Sequence, residues 1–123
     1  MSKNTIALAK WGMQPQLTNL WMECFEDTPR GTKYFFNNAF QPRECLVYLA
    51  DGDLAAAVYL LPAELSFQGK SITAHYIYAA GTRKKYRSRG YMRALLNCAA
   101  YLGTRRGEGY SFLLPANEGL YQY

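Results

Sequence analysis

The stretch YIYAAGTRKKYRSRGYMRALL, residues 76–96, changes character twice along its length. It begins with apolar residues, continues with a basic segment in which six of the residues 83–93 are Lys or Arg, and ends in an apolar helical pattern. Gly90 lies at the point where the basic segment passes into that pattern. This order predicts a central strand that leads through a charged loop into an amphipathic helix.

The beginning of that helix is a candidate site for an anion. The first main-chain N–H groups of a helix lack partners within it, and the helix dipole favours negative charge there. Gly90 would let the main chain approach a phosphate closely, and Arg87 and Arg89 could add charge-assisted hydrogen bonds. The loop therefore predicts a cradle for a pyrophosphate.

Two other interpretations of the basic segment stay open. The first is an ordinary solvated, charged entry into a helix. The second is a nucleic-acid surface, which the clustering of charge in a chain of net charge +5 would favour. Tyr76 and Tyr78 argue against a nucleic-acid surface, because they have the pattern of core residues rather than of an exposed stacking platform.

Composition and the remaining signals bound the class of protein. The 123 residues suffice for one domain, and a hydrophobic share of 50% with 15% aromatic residues excludes disorder. Cys24, Cys45 and Cys98 stand far apart in apolar segments, which predicts reduced, buried thiols rather than a disulfide framework or a metal site. No apolar run reaches the roughly 18 residues of a membrane span, and no signal-peptide pattern is present, so a cytoplasmic protein is expected.

Two helices are predicted in the first third of the chain. Residues 15–27 place Leu17, Leu20 and Trp21 at helical spacing. A second helix is expected within residues 28–40, where Thr28 precedes a proline in the order typical of an N-cap and a first turn.

A meander of three strands is predicted next. The segments ECLVYLA and DLAAAVYLL flank a turn at residues 51–53, and a second turn at residues 68–70 leads into a long strand. Pro62 predicts a bulge or the end of a strand, because proline cannot donate to a ladder of hydrogen bonds.

The long strand has no strongly polar face, which predicts that it is central in the sheet and covered on both sides. Strict alternation of side chains would place Tyr78 and Ala80 on one face and Ile77 and Ala79 on the other. After the helix that follows the basic segment, YSFLLPA predicts a short strand, and a further helix is expected to begin at Asn117.

Residues 87–92, Arg-Ser-Arg-Gly-Tyr-Met, resemble a signature of the GNAT superfamily of acyl-CoA-dependent N-acetyltransferases. That signature follows the fourth strand and reads Arg or Gln, two residues, Gly, one residue, then Gly or Ala. The match departs from it at the last position, where Met92 replaces the small residue. The resemblance implies that main-chain amides from Ser88 to Met92 hold the pyrophosphate of acetyl-CoA.

The order of the predicted elements resembles the GNAT order over nearly the whole chain. More narrowly, residues 20–29, 76–96 and 112–123 are similar to the enhanced-intracellular-survival (Eis-like) branch. The resemblance implies an α/β (α+β) GNAT-like acyl-CoA N-acyltransferase fold, with a mixed, mostly antiparallel sheet flanked by helices, in a single domain over residues 1–123. It also implies that the last strands are lacking, so that this is an amino-terminal portion of the domain.

The resemblance also implies roles for particular residues in binding acetyl-CoA. Main-chain groups where the fourth and fifth strands separate would pair with the pantetheine arm. The segment after the fifth strand would contact CoA through Asn117, for which an ordinary helix N-cap is the alternative. The implied binding residues are Ala80, Gly81, Thr82, Arg87, Ser88, Arg89, Gly90, Tyr91, Met92 and Asn117.

The implied reaction is direct attack of an amine on the thioester of acetyl-CoA, without a metal. It needs a group that takes the amine proton and often an acid that protonates the departing thiolate. The strand at residues 71–82 has no carboxylate, which leaves His75 as a candidate base acting through water, with a core histidine as the alternative. Resemblance places the acid on a tyrosine after the fifth strand, for which Tyr123 is the candidate. Acids that could line the acceptor side, or form solvated faces, are Glu23, Glu26, Asp27 and Glu44.

Three functions are therefore carried forward. The first is an N-acetyltransferase whose partners are acetyl-CoA and a small-molecule or protein amine. The second is a non-catalytic CoA-binding or structural GNAT fragment, and the third is a basic nucleic-acid-binding module. No membrane partner is expected, and an exposed edge of the last strand would allow a homo-oligomer.

Overall fold

The computed structural model describes residues 3–25, 28–105 and 110–113, which fold as a five-stranded sheet with helices on both faces. The strands are β1 (Asn4–Leu8), β2 (Cys45–Ala50), β3 (Asp53–Phe67), β4 (Lys70–Thr82) and β5 (Tyr110–Leu113). The α-helices are α1 (Gln14–Cys24), α2 (Pro29–Asn38) and α3 (Tyr91–Arg105). Short 3-10 helices cover Trp11–Met13, Pro42–Glu44 and Lys84–Tyr86.

The strands follow one another across the sheet in chain order, from β1 to β5. The pairings from β1 to β4 are antiparallel, whereas β4 and β5 are parallel. A parallel pair needs a crossover connection, and α3 lies in that connection. The α+β fold with a mixed, mostly antiparallel sheet, predicted from the sequence, is confirmed.

Each face of the sheet buries its own apolar core. On one face α1 and α2 pack around Trp21, whose ring stacks on that of Phe35 with centroids 4.8 Å apart. On the other face α3 inserts Met92, Leu95 and Ala99, which are all fully buried against the sheet. Because β4 contributes residues to both cores, the prediction that it is covered on both sides is confirmed.

Local signals at the helix and turn boundaries behave as predicted. The Oγ1 atom of Thr28 accepts the N–H of Gly31 at 2.9 Å, which makes Thr28 the N-cap of α2. The β2–β3 turn has positive φ at Asp51 (52°) and Gly52 (85°). The β3–β4 turn likewise passes through Gln68 and Gly69 at positive φ, a conformation that glycine adopts without strain.

The sequence pattern does not predict β1. This strand pairs with β2 from Asn4↔Ala50 to Leu8↔Leu46 and forms one edge of the described sheet. Its first two residues and its last are exposed, so it lacks the apolar alternation by which the other strands are recognised.

The prediction for Pro62 is wrong, because Pro62 lies inside β3 and faces His75 of β4 in regular register. Pairing between β2 and β3 reaches only as far as Cys45↔Tyr59. Beyond Tyr59, β3 pairs only with β4 among the described strands, so the missing N–H of proline need not remove a ladder bond.

Strict alternation along β4 also fails, and the reason is a β-bulge. The register passes from Ala57↔Gly81 to Tyr59↔Tyr78, so β4 has one residue more than β3 in this interval, and Ala79 has φ of 54°. Tyr78 and Ala79 consequently pack in the α1–α2 core, while Ile77 and Ala80 pack in the α3 core.

The cysteines follow the prediction in part. Cys24 and Cys45 are buried, and Cys98 is half-buried beside the α3 core. Among the described helices, none combines the length and the apolar character needed to cross a bilayer.

Candidate functional site

The candidate site begins where β4 outlasts its pairing with β5. Within the described residues that pairing ends at Ile77↔Leu113, whereas β4 continues through the Ala79 bulge to Thr82. The bulge changes the direction of the strand at this point. The bulge therefore sets the carboxyl end of β4, from Ala80 to Thr82, apart from the part of the strand that pairs with β5 in the described residues.

The turn that follows leads directly into α3. Ser88 and Gly90 both have positive φ, of 65° and 81°, and the carbonyl of Gly90 accepts the first helical hydrogen bond from Ala94 at 3.1 Å. The N–H groups of the first turn of α3 have no partner inside the helix. A Cβ atom at Gly90 would meet nothing within 4 Å, so there is open space beside the main chain where α3 begins, which is the end of a helix that favours an anionic group.

Arg87 folds back onto the end of β4. Its Nε donates to the carbonyl oxygen of Thr82 at 2.9 Å, and its Nη2 donates to Sγ of Cys24 at 3.8 Å. The same Thr82 carbonyl accepts the thiol of Cys24 at 3.3 Å. Burial raises the pKa of the Cys24 thiol, an effect that the Arg87 guanidinium partly offsets, so Cys24 is a neutral donor at pH 7. Arg87 thus fixes the turn to the strand end.

Asp53, at the beginning of β3, holds the 3-10 helix that precedes the turn. Its carboxylate accepts the hydroxyl of Tyr86 at 2.6 Å and lies 3.4 Å from Arg83 and 3.3 Å from Lys85. The Tyr86 hydrogen bond, with help from Lys85 and Arg83, lowers the pKa of Asp53 below its ordinary value. The same hydrogen bond raises the pKa of Tyr86. The pair is therefore carboxylate and neutral phenol at neutral pH.

Three tyrosines connect the turn to the sheet. Tyr91, the first residue of α3, stacks on Tyr48 of β2 with centroids 4.1 Å apart and planes 14° apart. Tyr86 precedes the turn, and its ring centroid lies 6.0 Å from that of Tyr91. Tyr86, before the turn, is thus held by its hydrogen bond to Asp53, and Tyr91, after the turn, is held by stacking on Tyr48.

Four cations of the basic segment fall into two groups, apart from Arg87, which donates to Thr82, and Lys84, which is exposed. Arg83 and Lys85 are paired with Asp53. Arg89 lies with its Cζ atom 5.6 Å from the Tyr86 ring centroid, and among the described residues no carboxylate lies within 4 Å of Arg89 or Arg93. Arg89 and Arg93 are both exposed, so their charge is available to an anion at the turn.

The structure brings most of the predicted binding residues together. Thr82 is at the strand end, Gly90 is at the exposed turn, and Tyr91 begins α3. At Met92 the GNAT signature has a smaller residue. The Met92 side chain is only 1% exposed and packs in the α3 core, so it does not occupy the open side of the turn.

Of the two catalytic candidates, the structure describes His75, which lies within β4 and not in this turn. His75 lies within β4, where it faces Pro62 of β3 and Ser111 of β5 in register. Asn117 and Tyr123 lie outside the described residues. Glu23, a candidate for the acceptor wall, instead accepts the main-chain N–H of Lys84 at 2.9 Å and so helps to hold the basic segment.

Three other acids belong to that set. Glu44 lies in the 3-10 helix Pro42–Glu44, and Glu26 and Asp27 are outside the described residues. The sequence analysis missed Asp53 and Tyr48 as parts of the site. Asp53 carried a turn signal only, and no local pattern reveals contacts to residues more than thirty positions away.

Over residues 6–123 the chain matches the family model for the acetyltransferase (GNAT) domain. The fold and the strand–turn–helix site are those of an acyltransferase domain, and the chain belongs to the GNAT acetyltransferase family. Comparison with curated protein sequences finds no significant match.

Solved structures share the fold at low sequence identity. A GCN5-related N-acetyltransferase from Anabaena variabilis has a TM-score of 0.86 at 21% identity, over 97% of this chain and 30% of that one. A predicted acetyltransferase from Clostridium acetobutylicum, solved with acetyl-CoA, gives 0.70 at 16% identity, over 98% and 84% of the two chains. The aminoglycoside N-acetyltransferase AAC(6')-Iy, solved with CoA, gives 0.79 at 14%, over 97% and 81%. The chain thus spans less than a third of the Anabaena protein.

Proposed function

We propose that this chain transfers the acetyl group of acetyl-CoA to an amine. The observation that carries the proposal is the turn at residues 87–90, which leads into the N-terminus of α3 with open space beside Gly90 and an exposed Arg89 next to it. Family membership supports the reaction class, and the amine acceptor of the aminoglycoside enzyme supports an amine here. We also assign the chain to the Eis-like branch, on the segments that resemble it.

The residues of the turn fit the diphosphate of CoA. Main-chain amides from Ser88 to Met92 would receive the phosphate oxygens, because donors at a helix N-terminus need an acceptor from outside the helix. Arg89 would add a positive charge from the solvent side. Arg87 would act less directly, since its Nε already donates to Thr82.

The pantetheine arm would run along the carboxyl end of β4, beside the main chain of Ala80, Gly81 and Thr82. Within the described residues, this part of β4 lies beyond the pairing with β5. The carbonyl of Thr82 already accepts two donors, which leaves the main-chain groups of Ala80 and Gly81 as the main partners of the arm. Asn117 remains part of the proposal for the segment after β5.

When bound, acetyl-CoA would supply a thioester whose carbonyl carbon an amine can attack, so that a C–N bond forms and the C–S bond breaks. The chain must then accept one amine proton and return one to the sulfur. His75 remains the candidate for the first task and Tyr123 for the second. No metal is needed for either task.

Calorimetric titration with acetyl-CoA tests this function. Gly90→Val should abolish or strongly weaken binding, because a β-branched residue rarely adopts positive φ and its side chain would enter the open space at the turn. Gly69→Val is the matched control, since Gly69 also has positive φ (76°) and open space but lies in the β3–β4 turn. Turnover is followed by release of free thiol with a panel of amines.

The outcomes separate the functions considered. Binding of acetyl-CoA together with release of thiol supports the acetyltransferase. If acetyl-CoA binds but none of the amines in the panel causes release of thiol, a non-catalytic CoA-binding domain is supported. Tight, strongly salt-dependent binding of a DNA or RNA duplex in the absence of acetyl-CoA binding would support the nucleic-acid module instead. Equal losses in the two glycine variants would contradict the assignment of the turn.

A further inference from the structure

We propose that Asp53 is a positioning residue for the phosphate-binding turn, and that it acts by fixing Tyr86 and by neutralising two cations that do not bind phosphate. The inference deepens the proposed function and rests on it for its ligand. It concerns a residue of the β2–β3 hairpin, more than thirty positions away from the turn in sequence.

The first part of the argument is geometric. Tyr86 directly precedes the turn, and its hydroxyl donates to the Asp53 carboxylate at 2.6 Å. Tyr91 directly follows the turn and stacks on Tyr48. The turn between them contains Ser88 at positive φ, a conformation that a residue with a Cβ atom keeps only with support from its surroundings. Asp53 supplies that support at the beginning of the turn, through Tyr86.

The second part of the argument concerns charge. Arg83 and Lys85 both lie within 3.4 Å of Asp53, so the carboxylate keeps them at the base of the 3-10 helix. Arg89 and Arg93 have no such partner among the described residues. Asp53 thereby holds Arg83 and Lys85, whereas the cations without a carboxylate partner in the described part of the chain include Lys84 as well as Arg89 and Arg93.

The two possible roles of Asp53 predict opposite signs. If the carboxylate only adds negative charge near a phosphate site, its removal should tighten binding of an anion, because attraction at the surface increases. If the carboxylate positions the turn, its removal should weaken binding although the net charge becomes more positive. The sign of the change in affinity decides between the two roles.

The experiment compares Asp53→Asn with Asp51→Asn in the full chain. Asp51 lies in the same hairpin turn, and its carboxylate accepts the main-chain N–H of Lys3 instead of contacting the basic segment. Each variant removes one negative charge. Asp53→Asn should weaken acetyl-CoA binding by about fivefold or more, whereas Asp51→Asn should stay within about twofold of the wild type.

Tyr86→Phe removes the hydrogen bond and leaves the charge unchanged. It should weaken binding in the same direction, and the double variant should lose less than the sum of the two single losses, because both variants weaken the same contact between residues 53 and 86. In turnover the loss should appear as a higher KM for acetyl-CoA with kcat little changed. Asp53→Glu should recover part of the affinity.

Hydrogen exchange of the free chain keeps the inference testable if acetyl-CoA does not bind. The amides of Tyr86, Arg87 and Ala94, which donate to the carbonyls of Arg83, Lys84 and Gly90, should exchange at least several-fold faster in Asp53→Asn than in Asp51→Asn. Absence of wild-type binding would overturn the proposed function, while faster exchange would still support the role of Asp53. Tighter binding by Asp53→Asn, or exchange equal to that of the control, would overturn the inference.

Discussion

The Sγ atom of Cys24 lies 3.0 Å from the position that a Cβ atom on Gly81 would occupy, and Cζ of Phe25 lies 3.4 Å from it. The end of α1 therefore packs directly on the main chain of β4, one residue before the strand ends. A Cβ atom on residue 81 would force the side chains of Cys24 and Phe25 to give way by a few tenths of an ångström. Close packing here also places Cys24 within reach of the Thr82 carbonyl.

Gly81→Ala should therefore destabilise the fold by roughly 1–3 kcal/mol, the usual cost of adding a methyl group to a filled space. Urea denaturation followed by tryptophan fluorescence measures the change. Gly12→Ala is the control, since a Cβ at Gly12 meets nothing within 4 Å and φ there is not in the positive region. A stability equal to that of the control would show that α1 moves away from β4 without cost.

Arg87→Gln should bind acetyl-CoA better than Arg87→Ala. The side-chain amide of Gln can still donate to the Thr82 carbonyl, which in the wild type accepts Nε of Arg87 at 2.9 Å. Alanine removes the donor, and the turn loses a link worth about 1 kcal/mol, or roughly a fivefold change in Kd. Titrations of the two variants under the same conditions compare them directly. Equal affinities would mean that the Arg87–Thr82 bond does not support the site.

The strand–turn–helix site could be predicted from the sequence because its determinants are local. Gly90, the basic residues around it and the apolar spacing of α3 are all contained in one continuous segment. The N-cap of α2 is local in the same way, since Thr28 and Gly31 are three residues apart. Local signals of this kind require no knowledge of which strands pair.

Features that depend on pairing could not be predicted. The bulge at Ala79 follows from the register against Ala57 and Tyr59, and alternation alone cannot reveal it. The placement of Pro62 inside β3 depends on where β2 ends, which is set by another segment. Asp53 belongs to the site because it accepts a hydrogen bond from Tyr86, and the residues of its own turn do not indicate that distant contact.

Arg89→Ala should weaken acetyl-CoA binding and make it less sensitive to salt. Arg89 is exposed beside the turn and, among the described residues, has no carboxylate within 4 Å, so its charge is free to attract phosphate. A loss of roughly tenfold at low ionic strength, shrinking as salt is raised, is expected.

Arg105→Ala provides the control for charge. Arg105 is exposed in the last turn of α3, about 20 Å from the turn at its beginning, from the rise of an α-helix. Arg105→Ala removes the same charge about two Debye lengths from the turn at 0.1 M salt, so its effect should be small there and should grow only at lower ionic strength. If the two variants lost affinity equally at all salt concentrations, the phosphate would not lie beside Arg89.

Stability should fall at alkaline pH, in part because of Cys45. Burial raises the pKa of the Cys45 thiol to about 12, well above the value of an unfolded cysteine. The folded chain therefore keeps this proton after the unfolded chain has lost it. The contribution is fully present below the unfolded pKa and is lost as pH rises toward the folded one, with a slope of up to about 1.4 kcal/mol per pH unit.

Comparison with Cys45→Ala tests this contribution. The variant creates a small cavity and should be less stable at pH 7, but it has no thiol to titrate at this position. Urea unfolding in the presence of reductant, from pH 7 to about pH 10.5, should show the difference between wild type and variant shrinking as pH rises. Burial also raises the pKa of Tyr59 and Cys45 adds to that rise, so the difference between the two curves reports these two neighbours together. Parallel curves would mean that Cys45 is accessible enough in the folded chain to ionise at its ordinary pKa.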